Sequence, residues 1–134
     1  MSNWGFVYCL SNESMPGLYK IGYTTRSPMQ RAEELSRSTG VPTHFDVWFY
    51  LETQNPAQVE KRIHDEMARY RTNECREFFS VDDREIFALF ELIDDCQGCI
   101  AQSYDYQTMC AIREYELSNP NKKGKGMAEF YAEA

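Results

Sequence analysis

The sequence predicts an α/β fold of the α+β kind: a small, mostly antiparallel three-stranded sheet flanked by helices, in the order β-β-α-β-α-α, with a C-terminal appendage. Three observations predict it. Two short apolar runs of β-prone residues flank a cluster of turn formers, which reads as a hairpin with a longer loop. Helix-start signals then recur three times, each followed by apolar residues at helical spacing. A third aromatic and β-branched run lies between the first two helices, and an order of this kind belongs to mixed folds with a largely antiparallel sheet.

The elements follow in order. Phe6 to Leu10 (FVYCL) is β-branched, aromatic and apolar, the pattern of a buried strand. Ser11 to Gly17 (SNESMPG) consists of turn formers, and Leu18 to Tyr23 (LYKIGY) is the second strand. Gly22 inside that strand marks a bulge or a close approach to the backbone. Ser27-Pro28-Met29-Gln30 is a helix start: Ser27 as N-cap, Pro28 at the first helical position, Gln30 completing a capping box. The helix is expected to reach about Ser38, with Gly40 near its C-cap and Ala32 and Leu35, supported by Met29, on its apolar side. Phe45 to Leu51 is the third strand. Asn55-Pro56-Ala57-Gln58 repeats the helix-start chemistry, and Val59, Ile63 and Met67 mark one buried face opposite Lys61, Arg62 and Asp65. A third start at Ser80 to Asp83 places two acids where they suit the helix dipole. Ile86, Phe87, Leu89, Phe90 and Ile93 follow in a strongly apolar helix. Tyr106 to Leu117 is a further helix candidate, and the Lys/Gly-rich end is expected to be a mobile tail.

A chain of 134 residues suggests one domain, or one domain with a tail, long enough to bury a core without staples. The division falls at residues 1–95 for the domain and 96–134 for an acidic extension. No apolar run approaches the ~20 residues of a membrane span, and no basic region precedes the N-terminal apolar stretch. A cytoplasmic protein with no membrane partner is therefore expected. The odd count of five cysteines, Cys9, Cys75, Cys96, Cys99 and Cys110, reads as reduced thiols. Cys96 and Cys99 form a CxxC, but zinc wants four ligands and a second pair is missing. The net charge of −7 argues against a nucleic-acid partner until its distribution is read. Residues 1–80 hold 9 basic and 10 acidic residues, a net of −1, and residues 81–134 hold 5 and 11, a net of −6. A local basic cleft in the front part is compatible with that balance.

The ordered set Phe6-Val7-Tyr8, Lys20-Ile21-Gly22 with Thr24, Arg31 nine residues after the glycine, and Glu60 on a later helix resembles the GIY-YIG nuclease superfamily. Leu35, Thr39 to Pro42, Phe45, His64 and Arg76 to Phe79 (REFF) extend the likeness to a branch common in phage-encoded and bacterial proteins, often described as DNA-binding. The resemblance covers about residues 4–81.

What the resemblance implies is a metal-dependent endonuclease that hydrolyses DNA phosphodiester bonds, with Tyr8, Lys20, Arg31 and Glu60 as its catalytic set. Glu60 would anchor one divalent metal ion, Mg²⁺ or Mn²⁺, hard cations that prefer oxygen. Arg31 would clamp the scissile phosphate with its planar fork of donors. Tyr8 would be the general base or orient the water. A tyrosine base, with an ordinary pKa of about 10, needs a neighbouring cation. Lys20 would supply it, or would itself be the base with its pKa lowered by burial. His64, one turn after Glu60 on the same face, would bind metal, touch phosphate or hydrogen-bond inside the fold. Tyr23, Thr24 and Arg26 would line a DNA groove, and Glu77 would cap or brace the site.

Each residue also has a plainer reading. Tyr8 would be a core residue with a satisfied hydroxyl, Lys20 an exposed strand lysine, and Arg31 a solvated arginine paired with Glu34 or Asp46. Glu60 would be a first-turn acid favouring the helix dipole. Leu35 stands where many members of the superfamily have His or Tyr, and a late Asn is matched only weakly by Asn73. Two other readings follow: a catalytically weak nucleic-acid-binding module of the same type, and an inhibitor or interaction protein from a mobile element, suggested by the acidic rear part. Tyr104, Tyr106, Tyr115, Phe130 and Tyr131 suit a protein contact or a homodimer interface through residues 96–134.

Overall fold

The computed structural model describes residues 4–38, 43–72, 77–93, 99–102 and 104–120. The expected Gly40 cap, the Thr39 to Pro42 motif, Asn73, Arg76, the first cysteine of the CxxC and the tail with Phe130 and Tyr131 lie outside them, as does Cys75. The order is β1 (Trp4–Ser11), β2 (Leu18–Thr24), α1 (Pro28–Ser38), β3 (Asp46–Gln54), α2 (Pro56–Glu66), a 3₁₀ turn (Ala68–Tyr70), β4 (Phe78–Ser80), α3 (Asp83–Ile93), β5 (Cys99–Gln102) and α4 (Tyr104–Ser118).

The fold is mixed α+β, with an antiparallel sheet flanked by helices. The sheet has more strands than the three expected. Its order is β4-β2-β1-β3-β5, with antiparallel ladders joining β1 to β2, β1 to β3 and β2 to β4. The extra strand β4 comes from the two phenylalanines of the REFF motif. Three residues are too few to show a strand period, and pairing against Leu18, Tyr19 and Lys20 is what extends them. The chain divides into two compact units, Met1–Ala101 and Gln102–Ala134. In the second, α4 carries the buried residues Tyr106 and Ile112, which takes Tyr106 out of any exposed contact surface.

Register decides what each face of the sheet carries. Tyr8 stands opposite Gly22, Leu10 opposite Lys20 and Phe6 opposite Thr24. Tyr8 and Leu10 join Ala32 and Leu35 of α1, together with Phe45, in one buried cluster edged by Met15, Val47, Tyr50 and Phe78. A register shift between Cys9 and Leu10 skips Trp48 in the β1–β3 ladder, which leaves Val47 and Tyr50 beside the same cluster. The intervening β1 residues Val7 and Cys9 are fully buried, as are Phe49, Ile63, Phe79, Ile86 and Phe90. Phe49 meets Phe87 and Phe90 edge-on, each at 5.1 Å between ring centroids.

The helix starts divide between expectation and correction. Ser27 Oγ accepts the amide of Gln30 at 3.4 Å, as a cap should. Asn55 instead adopts the left-handed conformation (φ 52°) and makes no side-chain cap bond. Its carbonyl takes the amides of Gln58 and Val59 while the chain turns sharply from β3 into Pro56. Met29 does not support the apolar side of α1, because it is 57% exposed. Asp82 Oδ1 accepts the Arg84 amide at 2.8 Å, whereas Asp83 turns inward and is buried. Its Oδ2 receives the Tyr19 hydroxyl at 3.1 Å and the Trp48 indole N–H at 2.7 Å, so this acid ties β2 and β3 to the start of α3. Asn12, read as a turn former, is a buried hub: it donates to the Thr43 carbonyl and accepts from Ser14 and Thr43.

Candidate active site

The site is built where β1 and β2 lie side by side. Tyr8 is buried and its ring crosses directly over Gly22. A Cβ on that glycine would sit 2.5 Å from the Tyr8 hydroxyl and 2.7 Å from Cζ, so the KIG glycine is there to let the ring pass. The pairing is otherwise regular, and the close approach, not a bulge, accounts for the residue.

Arg31, in the first turn of α1, acts on the Tyr8 hydroxyl both as a hydrogen-bond donor and as a charge. Its guanidinium also donates to Glu34 Oε2 at 3.3 Å, so Glu34, not Asp46, is its carboxylate partner in the structure. Burial pushes the Tyr8 pKa above its ordinary value; Arg31 pulls it back, and the charges of Glu77 and Glu60 raise it again. The cation at Tyr8 is therefore Arg31. Lys20 is mostly buried, against the expectation of an exposed strand lysine, and its ammonium is ion-paired with Glu77. That ammonium also lies 5.2 Å from the centre of the Phe78 ring. Glu77, expected to cap or brace the site, is the ion-pair partner of Lys20.

Glu60 stands on α2 behind the first turn, so the dipole does not explain it. Burial raises its pKa; His64 lowers it, Glu77 raises it, and Lys20 and Arg71 lower it. These influences bring Tyr8, Lys20, Glu60 and Glu77 into one electrostatic neighbourhood with Arg31 and Arg71. His64 Nε2 lies 3.6 Å from Glu60 Oε1 and 2.8 Å from the Ile21 carbonyl oxygen, which it can satisfy only by donating. Of the three roles weighed for His64, the hydrogen bond inside the fold is the one its Nε2 occupies.

The other expected residues sit at one side. Thr24 is buried, and its hydroxyl accepts the Arg26 amide at 3.1 Å. Arg26 pairs with Glu34 at 2.7 Å. Tyr23 is exposed and lines a groove with Trp4, Thr25 and Asn55 to Gln58. Sequence reasoning missed Arg71, which follows the 3₁₀ turn. Its backbone bridges to Phe79, and its guanidinium lies 5.6 Å from the centre of that ring. An irregular turn offers no periodicity from which such a placement could be read.

Among the described residues, no group of three or more His, Cys, Asp or Glu side chains could hold a metal ion. A hydrated hard cation takes one or two carboxylates and keeps its waters; Glu60 is the carboxylate on α2 that could hold one. No helix among the described residues is long and apolar enough to cross a membrane.

An α+β domain with a tyrosine, two arginines and a half-buried glutamate at the junction of two strands and two helices is the class that fold and site define. The T5orf172 domain family model matches residues 5–94, and the chain belongs to that family. No curated protein and no solved structure matches the chain significantly.

Proposed function

We propose that this chain is a GIY-YIG-type, metal-dependent endonuclease that hydrolyses DNA phosphodiester bonds. Membership of the T5orf172 domain family supports a nuclease-like or DNA-binding role. The observation that carries the finer reading is Tyr8, lying over Gly22 and engaged by Arg31, within the field of Glu60. Phosphodiester hydrolysis needs charge stabilisation on the phosphoryl oxygens and a positioned water. Arg31 supplies a planar fork for a phosphate. Tyr8, its pKa raised by burial, keeps its proton near neutral pH and orients the water by hydrogen bonding. Lys20, held by Glu77, fixes the floor of the site and contributes positive charge. Glu60 would hold Mg²⁺ or Mn²⁺, which when bound supplies Lewis-acid stabilisation and help for the leaving oxygen.

A second reading, a DNA-binding module that cuts weakly, is favoured by the same protonated Tyr8 and by the engagement of Lys20 with Glu77, since neither group stands ready as a base. One assay separates the two. Supercoiled plasmid and single-stranded circular DNA are incubated with wild type and Glu60→Ala in Mg²⁺, Mn²⁺ and chelator. Metal-dependent nicking that disappears in the variant supports the nuclease. Salt-sensitive binding without product supports the module.

A further inference from the structure

Arg71 is placed with unusual care for a residue on an irregular turn. Its amide bonds to the Ala68 carbonyl at 3.2 Å, and its backbone bridges to Phe79. The Phe79 ring has the Arg71 guanidinium 5.6 Å from its centre and the His64 ring 5.0 Å from it. His64 in turn stands 3.6 Å from Glu60. The Arg71 Nε is buried and has no hydrogen-bond partner, and among the described residues its guanidinium forms no ion pair. A buried N–H left without an acceptor is costly, and a charged donor more so. Glu60 is close enough to feel the charge of Arg71 yet is not bonded to it. The Nε is closed to solvent, so an acceptor from outside the chain would meet the terminal N–H groups of the guanidinium, which have no partner among the described residues.

We infer that Arg71 is a second phosphate-binding arginine, whose terminal N–H groups take the oxygens of a DNA phosphate at the Glu60 side of the site while Arg31 serves the Tyr8 side. The role rests on the functional reading above. It differs from a purely structural role, in which the guanidinium only packs on Phe79, because it requires the side chain to count one phosphate.

The test is the salt dependence of binding to a fluorescein-labelled 20-base-pair DNA duplex in chelator, where no cutting intervenes. Arg71→Gln and Arg71→Met, the second keeping an unbranched apolar stem against Phe79, are compared with wild type after thermal melting has shown which are folded. The log-affinity against log-salt slope is expected to fall in magnitude by roughly 0.9, the value of one phosphate contact on duplex DNA. A wild-type slope in a folded variant overturns the assignment while leaving the nuclease reading intact. Absence of any salt-sensitive affinity in wild type overturns both. A readout on unaltered protein guards against unfolded variants: the Arg71 Nε–Hε NMR signal is expected to shift on titration with the same duplex, and an unmoved signal in the presence of binding overturns the assignment.

Discussion

The aromatic ring of Tyr8 occupies the space that any side chain at Gly22 would need: the hydroxyl lies 2.5 Å from the position of a Cβ there. Two motif residues that are far apart in sequence, one on each strand of the hairpin, are therefore a single steric unit. Gly22→Ala is expected to push the ring out of register with Arg31. Overpacking of this kind costs about 1–3 kcal/mol, so thermal melting should fall by several degrees. Cleavage should fall further, by roughly 100-fold, because the ring and its hydroxyl are displaced together. A folded Gly22→Ala protein with wild-type cutting would show that the Tyr8 position is not used.

Arg31 opposes the effect of burial on Tyr8. Removing it in Arg31→Ala is expected to raise the Tyr8 pKa further, seen as a later step in the tyrosinate absorbance titration at 295 nm against a Tyr8→Phe control. Cutting should drop by about 10²–10³-fold, as for loss of one charge-stabilising donor. Arg31→Lys should recover only a small part of it, since one ammonium cannot reproduce the fork.

Glu60 has a pKa raised by burial. For an acid whose folded-state value exceeds its unfolded one, the native state holds more protons within that window. Stability therefore falls as pH rises from the ordinary carboxylate value through the raised one, and the loss persists above it. Glu60→Gln removes that penalty. The variant is expected to match wild type at low pH, to melt higher above the raised value, and to cut at least about 100-fold more slowly. A melting difference that shrinks as pH rises would reverse the assigned sign. In wild type, saturating Mg²⁺ is expected to raise the melting temperature above that in chelator, and Glu60→Gln should lose this response.

Asp83, itself buried, accepts from two part-buried donors, Tyr19 and Trp48. Asp83→Ala leaves both without that acceptor, which should destabilise the fold by about 2–4 kcal/mol. Urea denaturation followed by Trp fluorescence measures it. The fraction still folded should retain its DNA affinity, because this acid holds the frame and not the proposed phosphate site.

The hairpin, α1 and the buried side of α2 were legible because each is a local signal: turn formers between β-prone runs, Ser27-Pro28, and the four-residue recurrence of Val59, Ile63 and Met67. β4 was not, since Phe78 to Ser80 is extended by its partner strand and not by its own pattern. Of the candidate site, the positions of Tyr8, Arg31 and Glu60 were readable from the ordered motif, but their pairing was not. The sequence left Lys20 as the cation for Tyr8, and the structure puts Arg31 there and Lys20 on Glu77. Asp83 looked like an ordinary first-turn acid, because nothing local tells an inward aspartate from an outward one. Arg71 was silent for the same reason: its surroundings are assembled from Phe79 and α2, remote in the chain.

The bond from His64 to Ile21 has a consequence for how the molecule behaves among its own copies. β4 covers β2 only from Leu18 to Lys20, and beyond that point a strand edge would ordinarily lie open. Here the Ile21 amide is given to the Glu77 carbonyl and the Ile21 carbonyl to His64. An incoming strand finds neither a donor nor an acceptor at that residue, so β2 is closed to edge-to-edge pairing at Ile21, its carbonyl by a side chain instead of by more sheet.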